Sequence, residues 1–457
     1  MKDGAPAPAP KLESFFAQLS NTPLADAFPG KRAVHPFVGM APVPDEDVPG
    51  HWDRIHATPR QNRAVAYVHV PFCENHCLFC GFYQNAWRPD AGAPYVDAVV
   101  RQLERFADSP AQEGPPLQAI YLGGGTPTAL SAPDIARLVT ALRRHLPLAP
   151  DCEITLEGRV FSFDEEKARA GFDAGVTRVS LGIQSFNDAI RKPLGRKTGR
   201  EGILQLLETL VALDRGAIVV DLIYGLPKQT PEDVAADVRL CADLGLDGLD
   251  LYSLNLIPGT PLLTAIEKGK MESALPTRLG DFFDAGEEAA LSEGWRAIST
   301  THWQGSLRER NVYNVAVKTG ADCLAFGAGA GGFLGGVNYR INSDLKTFAE
   351  LAGTDACLAP GMMRQAATAP VHNAVKSGME RGLLDPRHVD RSIAALIPDA
   401  TSFSAHAAPL LKQWTQAGLL EAHHRFHRLT RAGRFWQVAM TGRLLGWLGQ
   451  HPNLKDL

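Results

Sequence analysis

Three of the chain's seven cysteines fall within eight residues, Cys73-Glu74-Asn75-His76-Cys77-Leu78-Phe79-Cys80. Thiolates are the ligands that iron–sulfur clusters use. Three of them spaced Cys-x3-Cys-x2-Cys on one tight loop can hold three irons of a [4Fe–4S] cube. The fourth iron then stays open to a ligand that is not protein. The alternative is zinc, which wants four ligands at a structural site. His76 would have to be the fourth, an awkward position between two ligating cysteines on so short a loop. Cys152, Cys241, Cys323 and Cys357 are scattered and read as small buried hydrophobes.

Other residues suggest a ligand near that loop. Gly123-Gly124-Gly125-Thr126-Pro127-Thr128 follows an apolar run, and glycine lets a backbone approach a ligand closely; alone it reads equally as a tight turn. Glu157 and Asp221 lie at the ends of apolar strand-like runs, where an unpaired carboxylate is costly, so a ligand contact is expected for both. Arg196 reads by itself as a surface salt-bridge residue. Thr301-His302-Trp303 ends a strand-like run, so His302 is either turned into the site, as a ligand to a bound group or a proton donor, or a satisfied structural histidine. The basic stretch His423-His424-Arg425-Phe426-His427-Arg428, with Arg431 and Arg434, reads as a solvated face before it reads as a docking patch.

The elements that must position these residues alternate. Short β-rich runs at Ala64–Val70, Ala119–Gly123, Glu153–Glu157, Arg178–Gln184, Ile218–Tyr224, Leu249–Leu256 and, more weakly, Ala297–Thr301 are separated by helical periodicity at Ala93–Ala107, Ala132–His145, Asp164–Ala174, Gly199–Leu213, Pro231–Leu244 and Gly280–Glu293. Alternating strand and helix implies parallel strands with crossover helices, here a partial (β/α) TIM-type barrel of α/β class, with a doubly wound sheet as the alternative. The cysteine loop then sits at the carboxyl end of the first strand, where such barrels build their sites. The expected organisation is an arm over 1–62, the barrel over 63–305, a glycine-rich substrate-facing connector over 306–345 and a mainly helical C-terminal domain over 346–457, with a short β-wing near Leu419–Leu429. Ala325–Tyr339, nearly all Gly, Ala, Phe and Leu, is expected to be loop.

Composition excludes several classes. With 46 Lys+Arg against 50 Asp+Glu in 457 residues, the formal charge of −4 gives no case for a general nucleic-acid or acidic-membrane binder. A hydrophobic content of 45 % excludes wholesale disorder. No apolar run is long enough to span a membrane, and Met1–Pro10 lacks the apolar segment of a secretory signal. Seven cysteines in so long a chain do not make a disulfide scaffold, so a reducing cytoplasm is the expected setting.

The cysteine triplet resembles the signature of radical S-adenosylmethionine (SAM) enzymes. In that superfamily SAM chelates the open iron, and one electron from the cluster cleaves it to a 5′-deoxyadenosyl radical. Tyr67-Val68-His69-Val70-Pro71-Phe72-Cys73, Ser180-Leu181-Gly182-Ile183-Gln184-Ser185-Phe186 and Asp221-Leu222-Ile223-Tyr224-Gly225-Leu226-Pro227 resemble the branch containing oxygen-independent coproporphyrinogen III oxidase. The resemblance covers about residues 62–340. It implies that Tyr67 sits by the cluster and a first SAM, and that Phe79 and Gly81 contact its adenine side. Gly124, Gly125 and Thr126 would hold its methionine part and Glu157 its ribose. Gln184, Arg196 and Asp221 would surround the ligands, including a second SAM, with Ile223, Tyr252 and Asn255 as lining.

The chain departs from the oxidase pattern in two places. Phe82 stands where the oxidase has an extra cysteine, and Glu157-Gly158-Arg159-Val160 replaces an acidic Glu-x-Asp-Pro-type stretch. Gly81 stands where a haem-chaperone subgroup usually has Asp. Cys80-Gly81-Phe82-Tyr83-Gln84-Asn85, Arg310-Asn311-Val312-Tyr313-Asn314 and the Phe326–Gly336 stretch resemble instead the haem-utilisation subgroup that contains the anaerobilin synthases. That resemblance implies a radical SAM methyltransferase that opens haem without oxygen to a methylated linear tetrapyrrole and releases iron. A flavodoxin-like or other low-potential electron donor, and a haem-carrier protein, are the implied partners. An oxidase-type reaction on a tetrapyrrole and a non-catalytic haem chaperone are the alternatives. The Phe326–Phe333 stretch would supply an apolar wall for the macrocycle, or else pack the barrel against the C-terminal region.

Overall fold

Strand β1, Ala64–Val70, sets the pattern of the core in the computed structural model, which describes residues 10–31, 39–273 and 278–454. Its side chains alternate between two environments, as a strand requires. Ala64, Ala66, Val68 and Val70 pack outward under the helices, in the main hydrophobic core. Val65 and Tyr67 face the other way, in a second cluster with Ala119, Ala316 and Cys323. Strands β2 (Leu117–Gly124), β3 (Leu148–Gly158), β4 (Arg178–Gln184), β5 (Ala217–Tyr224) and β6 (Gly248–Ser253) follow side by side, each parallel to the one before. The crossovers are helices α1 (Gly92–Ala107), α2 (Ala132–His145), α3 (Glu165–Ala174), α4 (Arg200–Leu213) and α5 (Pro231–Asp243). Their starts are written in the sequence: Ser131 and Asp164 accept from the third backbone N–H of α2 and α3, and Thr230 and Asp233 form a reciprocal capping box on α5.

The barrel stays open. After α6 (Leu279–Ser292), the sheet continues beyond β6 through antiparallel β7 (His302–Gln304) and the two-residue edge Arg296–Ala297. The weak parallel strand expected over Ala297–Thr301 is therefore not formed. Helix α7 (Val312–Lys318) lies against β1 and β2, with the Tyr313 ring 4.9 Å from that of Tyr121 and 6.1 Å from that of Tyr67. It plugs the amino-end half of the lumen. The seventh parallel strand is β8 (Asp322–Phe326), which pairs with the free side of β1. Antiparallel β9 (Gly331–Leu334), β10 (Val337–Arg340) and β11 (Met362–Gln365), then Met40–Pro42, carry the sheet to its other edge. Ala325–Tyr339, expected as loop, is thus mostly strand. Gly332 needs its missing Cβ there, because the Tyr339 ring lies against its Cα. Phe326, Ala328 and Ala330 turn into the hydrophobic core, so these three pack the fold and form no substrate wall.

The C-terminal residues form helices Ala369–Glu380, Pro386–Leu396, Phe403–Gln416 and Gln437–Leu448, with a small sheet of Leu383–Leu384, Leu420–His423 and Phe426–Leu429. The β-wing near Leu419–Leu429 is present. Arg431 and Arg434 pair with Glu287 of α6, which is 0 % exposed, and Arg431 also reaches Asp284 and Glu288. These arginines clamp the C-terminal helices to the barrel and are committed to that task. The chain's beginning packs there as well: Gln413 exchanges hydrogen bonds with the Ala17 backbone, and Trp436 Nε1 donates to Pro23 O at 2.8 Å. Of the Ala/Pro-rich opening, residues 1–9 lie outside the described residues. Among the described residues no helix is long and apolar enough to cross a membrane.

Candidate active site

The cysteine loop leaves β1 and is pinned at both ends. Phe72–Cys73 pairs with Asn85–Ala86, Trp87 N donates to Cys73 O at 2.9 Å, and Leu78 exchanges backbone bonds with Leu194 and Leu262. All three thiols are free, Cys73 and Cys77 buried and Cys80 partly so. Each sulfur accepts a hydrogen bond from the protein. Thr126 Oγ1 donates to Cys73 Sγ at 3.4 Å and Phe82 N to Cys80 Sγ at 3.3 Å. Cys77 Sγ accepts from two guanidinium groups, Arg159 Nη2 at 3.2 Å and Arg196 Nη1 at 3.5 Å. Burial pushes the Cys73 and Cys80 thiols up, with the Thr126 and Phe82 bonds opposing; metal coordination removes such protons outright. Among the described residues no three His, Cys, Asp or Glu side chains converge on a single-ion position. His76 is occupied otherwise, with Nε2 2.9 Å from Cys80 O and its ring stacked 4.6 Å from that of Tyr83. The donor set therefore fits a cube, in which each thiolate meets a different iron, and does not fit one zinc ion.

A cavity of about 160 Å³ opens beside the three cysteines, at the carboxyl ends of β2 to β5. Phe79, Gly124, Gly125, Glu157, Gln184, Arg196 and Asp221 are on its wall, so the structure brings together seven of the expected ligand residues and the triplet. Gly124 has φ +117° and its Cα lies against the His69 ring, which no side chain would tolerate. Glu157 is enclosed by protein yet opens onto the cavity; burial, then the Asp221 charge, push its carboxyl up to about 8, against the Gly124 N–H and Arg178. Asp221 is likewise raised, by burial and then by Asp250. Gln184 stands at φ 72°, beside a register shift between β4 and β5, and its buried Oε1 has no hydrogen-bond partner in the structure. Backbone strain and an orphaned acceptor at one residue point to a ligand. Arg196 is 5 % exposed and donates to Gly182 O as well as Cys77, so it is no surface salt-bridge residue.

The remaining expected residues are not on the wall of the cavity. Thr126 acts on Cys73. Tyr67 sits in the lumen with its hydroxyl 2.9 Å from His69 Nδ1. Gly81 packs on Ile257, while Ile223 joins an apolar cluster with Leu226 and Leu262. Tyr252 donates to Asp250 at 3.4 Å, and Asn255 is exposed on the segment after β6. His302 is 1 % exposed, with both ring nitrogens partnered in the lumen, by Asp250 and Lys318; it is not placed as a haem ligand. Arg159 was not singled out by its position, yet it clamps the cysteine loop: Nη1 donates to Asn75 O at 3.1 Å and Nη2 to Asn75 Oδ1 at 3.0 Å. The only signal in the sequence was its place two residues beyond Glu157, where the oxidase pattern is broken.

Comparison with known proteins agrees with this geometry. The model of the Radical SAM superfamily, whose members hold a [4Fe–4S] cluster and SAM, matches residues 67–241. The chain is 43 % identical over 427 residues to the anaerobilin synthase of Escherichia coli O157:H7, covering 93 % of each chain. It is 29 % identical over 290 residues to the heme chaperone HemW of Lactococcus lactis, covering 64 % of this chain and 75 % of that one. Among solved structures, the coproporphyrinogen III oxidase HemN of Escherichia coli superposes with a TM-score of 0.72 at 22 % identity, over 86 % of this chain and 92 % of that one, a likeness of fold. The chain is a radical SAM enzyme and belongs to the family of that anaerobilin synthase.

Proposed function

We propose that this protein is a radical SAM C-methyltransferase that opens haem anaerobically to a methylated linear tetrapyrrole and releases its iron. The reading is carried by one observation: the 43 % likeness to an anaerobilin synthase runs over 427 residues and 93 % of both chains. When bound, the cluster and SAM supply a carbon-centred radical and, from a second SAM, the transferred carbon. Cys73, Cys77 and Cys80 would hold three irons, with Arg159 and Arg196 fixing the Cys77 sulfur. Gly124, Gly125 and Thr126 would receive the methionine part of the first SAM, Glu157 its ribose, and Phe79 with Gly81 its adenine. Gln184, Arg196 and Asp221 would orient the second SAM, with Tyr67, Ile223, Tyr252 and Asn255 around them. Once ligands fill the cavity the enclosing strands would keep bulk water from them, which protects a radical and strengthens every polar contact inside. Seven free thiols suit a reducing cytoplasm, where a flavodoxin-like donor supplies electrons and a haem carrier the substrate.

The test is an anaerobic incubation of the cluster-loaded protein with haem, a strong reductant and SAM deuterated on its methyl group. A linear tetrapyrrole heavier by a labelled one-carbon unit, with deuterium also in 5′-deoxyadenosine, is the expected result. Intact haem would favour a chaperone. Unlabelled 5′-deoxyadenosine with labelled product would mean polar methyl transfer.

A further inference from the structure

One rung of the sheet carries an unbroken line of polar side chains out of the cavity. Gly182, Asp221, Asp250 and His302 are successive register partners on β4, β5, β6 and β7. Asp221 is on the cavity wall. Its register partner is Asp250 on β6, whose carboxyl acts on it by charge and by a side-chain hydrogen bond. Asp250, 3 % exposed, meets His302 Nδ1 at 2.5 Å through Oδ1. On the other side of the imidazole, Lys318 Nζ of α7 is 3.2 Å from Nε2, and Lys318 in turn pairs with Glu380 of the helix Ala369–Glu380. Lys318 and Glu380 line a second cleft, of about 450 Å³, between α7, the β8–β10 sheet and the C-terminal helices. Their side chains are 34 % and 19 % exposed, so water reaches this end of the line.

The hydrogen positions follow from the partners. A lysine ammonium only donates, so His302 Nε2 accepts and Nδ1 carries the hydrogen toward Asp250. Burying a carboxyl pair and an imidazole in one barrel, with an ammonium half-buried at the end of the line, is costly where apolar side chains would pack. The Arg178–Glu309 ion pair deeper in the lumen does not account for the line, because each satisfies the other at 2.8 and 3.1 Å. The groups facing His302 are Asp250 and Tyr252 on β6, Lys318 on α7, Glu380 and Arg381 at the end of the helix Ala369–Glu380, and Ser299 before β7. Asp221 and Asp250 are driven apart. Burial and then Asp250 raise Asp221, whereas Asp250, which burial alone would raise, is held low by His302. The proton of the pair therefore rests on the carboxyl at the cavity.

We propose that Asp221, Asp250, His302, Lys318 and Glu380 form a proton relay that feeds the active-site cavity from the second cleft. The need for it rests on the function proposed above. Iron leaving haem vacates two anionic pyrrole nitrogens, and each must gain a proton: two N–H bonds form as the Fe–N bonds break. No electron moves along the relay. A proton passes from Lys318 to His302 Nε2 and the Nδ1 proton passes to Asp250 and on through Asp221; a turn of the imidazole then brings the hydrogen back to the Asp250 side, and Lys318 reloads from water at Glu380 before the second proton follows. His302, Lys318 and Glu380 are positioning residues, acting through Asp221.

Two measurements on the cluster-loaded full chain test this. The first is the rate at which the protonated carboxyl stretch exchanges in D2O, followed by infrared spectroscopy without haem. Lys318→Met and His302→Gln should slow it at least tenfold, and Glu380→Gln, at the half-open end, at least threefold. The second is turnover. The same variants should form linear tetrapyrrole at least tenfold more slowly, with the KM for haem and the haem-independent cleavage of SAM within twofold of wild type and with an enlarged solvent deuterium effect. Added imidazole should restore part of the rate of His302→Gln. Unchanged exchange in Lys318→Met and Glu380→Gln overturns the relay. Equal loss of SAM cleavage and haem turnover also overturns it, in favour of a structural strut. If exchange slows in the variants while wild type leaves haem intact, the relay stands and the haem reading fails.

Discussion

Replacing Arg159 by methionine should lower the reduction potential of the cluster by roughly 40–120 mV. The guanidinium is 3.2 Å from Cys77 Sγ, closer than Arg196 at 3.5 Å. Reduction would add one negative charge to the cluster that these thiolates would hold, and a charge separation on the order of 6 Å is taken for the sum. At an effective dielectric of about 20, the attraction is on the order of 3 kcal/mol, or about 120 mV for one electron. Arg159 is half-buried on a water-accessible wall, so screening reduces this toward the lower figure. The sign is fixed: removing a cation destabilises the more negative, reduced state, so the potential falls. Arg159→Lys retains the charge but loses the planar fork that grips both Asn75 O and Asn75 Oδ1, and should recover at least half of the shift. The assay is an anaerobic redox titration of reconstituted protein, read by the electron paramagnetic resonance signal of the reduced cluster at matched iron content. A potential within about 15 mV of wild type in Arg159→Met, with full iron loading, would show that the cluster does not feel this charge.

Other outcomes follow from the same structure. Replacing Cys73, Cys77 and Cys80 together by alanine should abolish binding of four irons and four sulfides, whereas Cys152→Ala and Cys241→Ala should leave it intact; iron and sulfide analysis decides. The folded-state carboxyl of Glu157 is raised from its ordinary 4.5 to about 8, so its contribution to stability is present in full below pH 4.5 and lost as the pH rises through 8. That is at most about 5 kcal/mol, and on the order of half that beside cavity water. Urea unfolding of cluster-free protein should therefore show wild type losing roughly 2–4 kcal/mol more than Glu157→Gln between pH 5 and 8; parallel curves would mean that the carboxylate is not desolvated. Arg434→Ala leaves the fully buried Glu287 with Arg431 alone, and should cost about 1–3 kcal/mol in thermal unfolding, with Glu287→Gln restoring part of it in the double variant.

What was legible in the sequence depended on the range of the interaction that fixes it. The parallel strands β1 to β6 are buried on both faces and read as short β-rich runs, and three of their five crossover helices carry their own side-chain caps, so the barrel's first six units follow from local text. The cysteine loop and the glycine turn after β2 are also local, and the cavity gathers them with Glu157, near the carboxyl end of β3, and with Asp221, which lies within β5 and not at its end as expected. The seventh parallel strand was hidden. Asp322–Phe326 is five residues long, runs into glycines, and is a strand because β1, more than two hundred residues earlier, offers it a free edge. The burial of Arg196 was hidden for the same reason, since its partners Gly182 and Cys77 are 14 and 119 residues away.

The polar rung shows why one strand at a time is not enough. Asp221, Asp250 and His302 each look like a single polar residue in an apolar run, and each alone reads as a ligand contact or a satisfied core group. Register turns them into one object. Parallel pairing sets Asp221 beside Asp250, and the antiparallel return of β7 sets His302 beside Asp250, 52 residues on. Lys318 and Glu380 then join from a helix inside the barrel and a helix outside it, 62 residues apart. A shift of one residue in β7 would turn His302 to the opposite face of the sheet and put Trp303 in its place against Asp250. The alignment therefore depends on the same strand pairing that keeps Trp303, 2 % exposed, in the hydrophobic core, so the register that packs the barrel also connects the cavity to the cleft behind it.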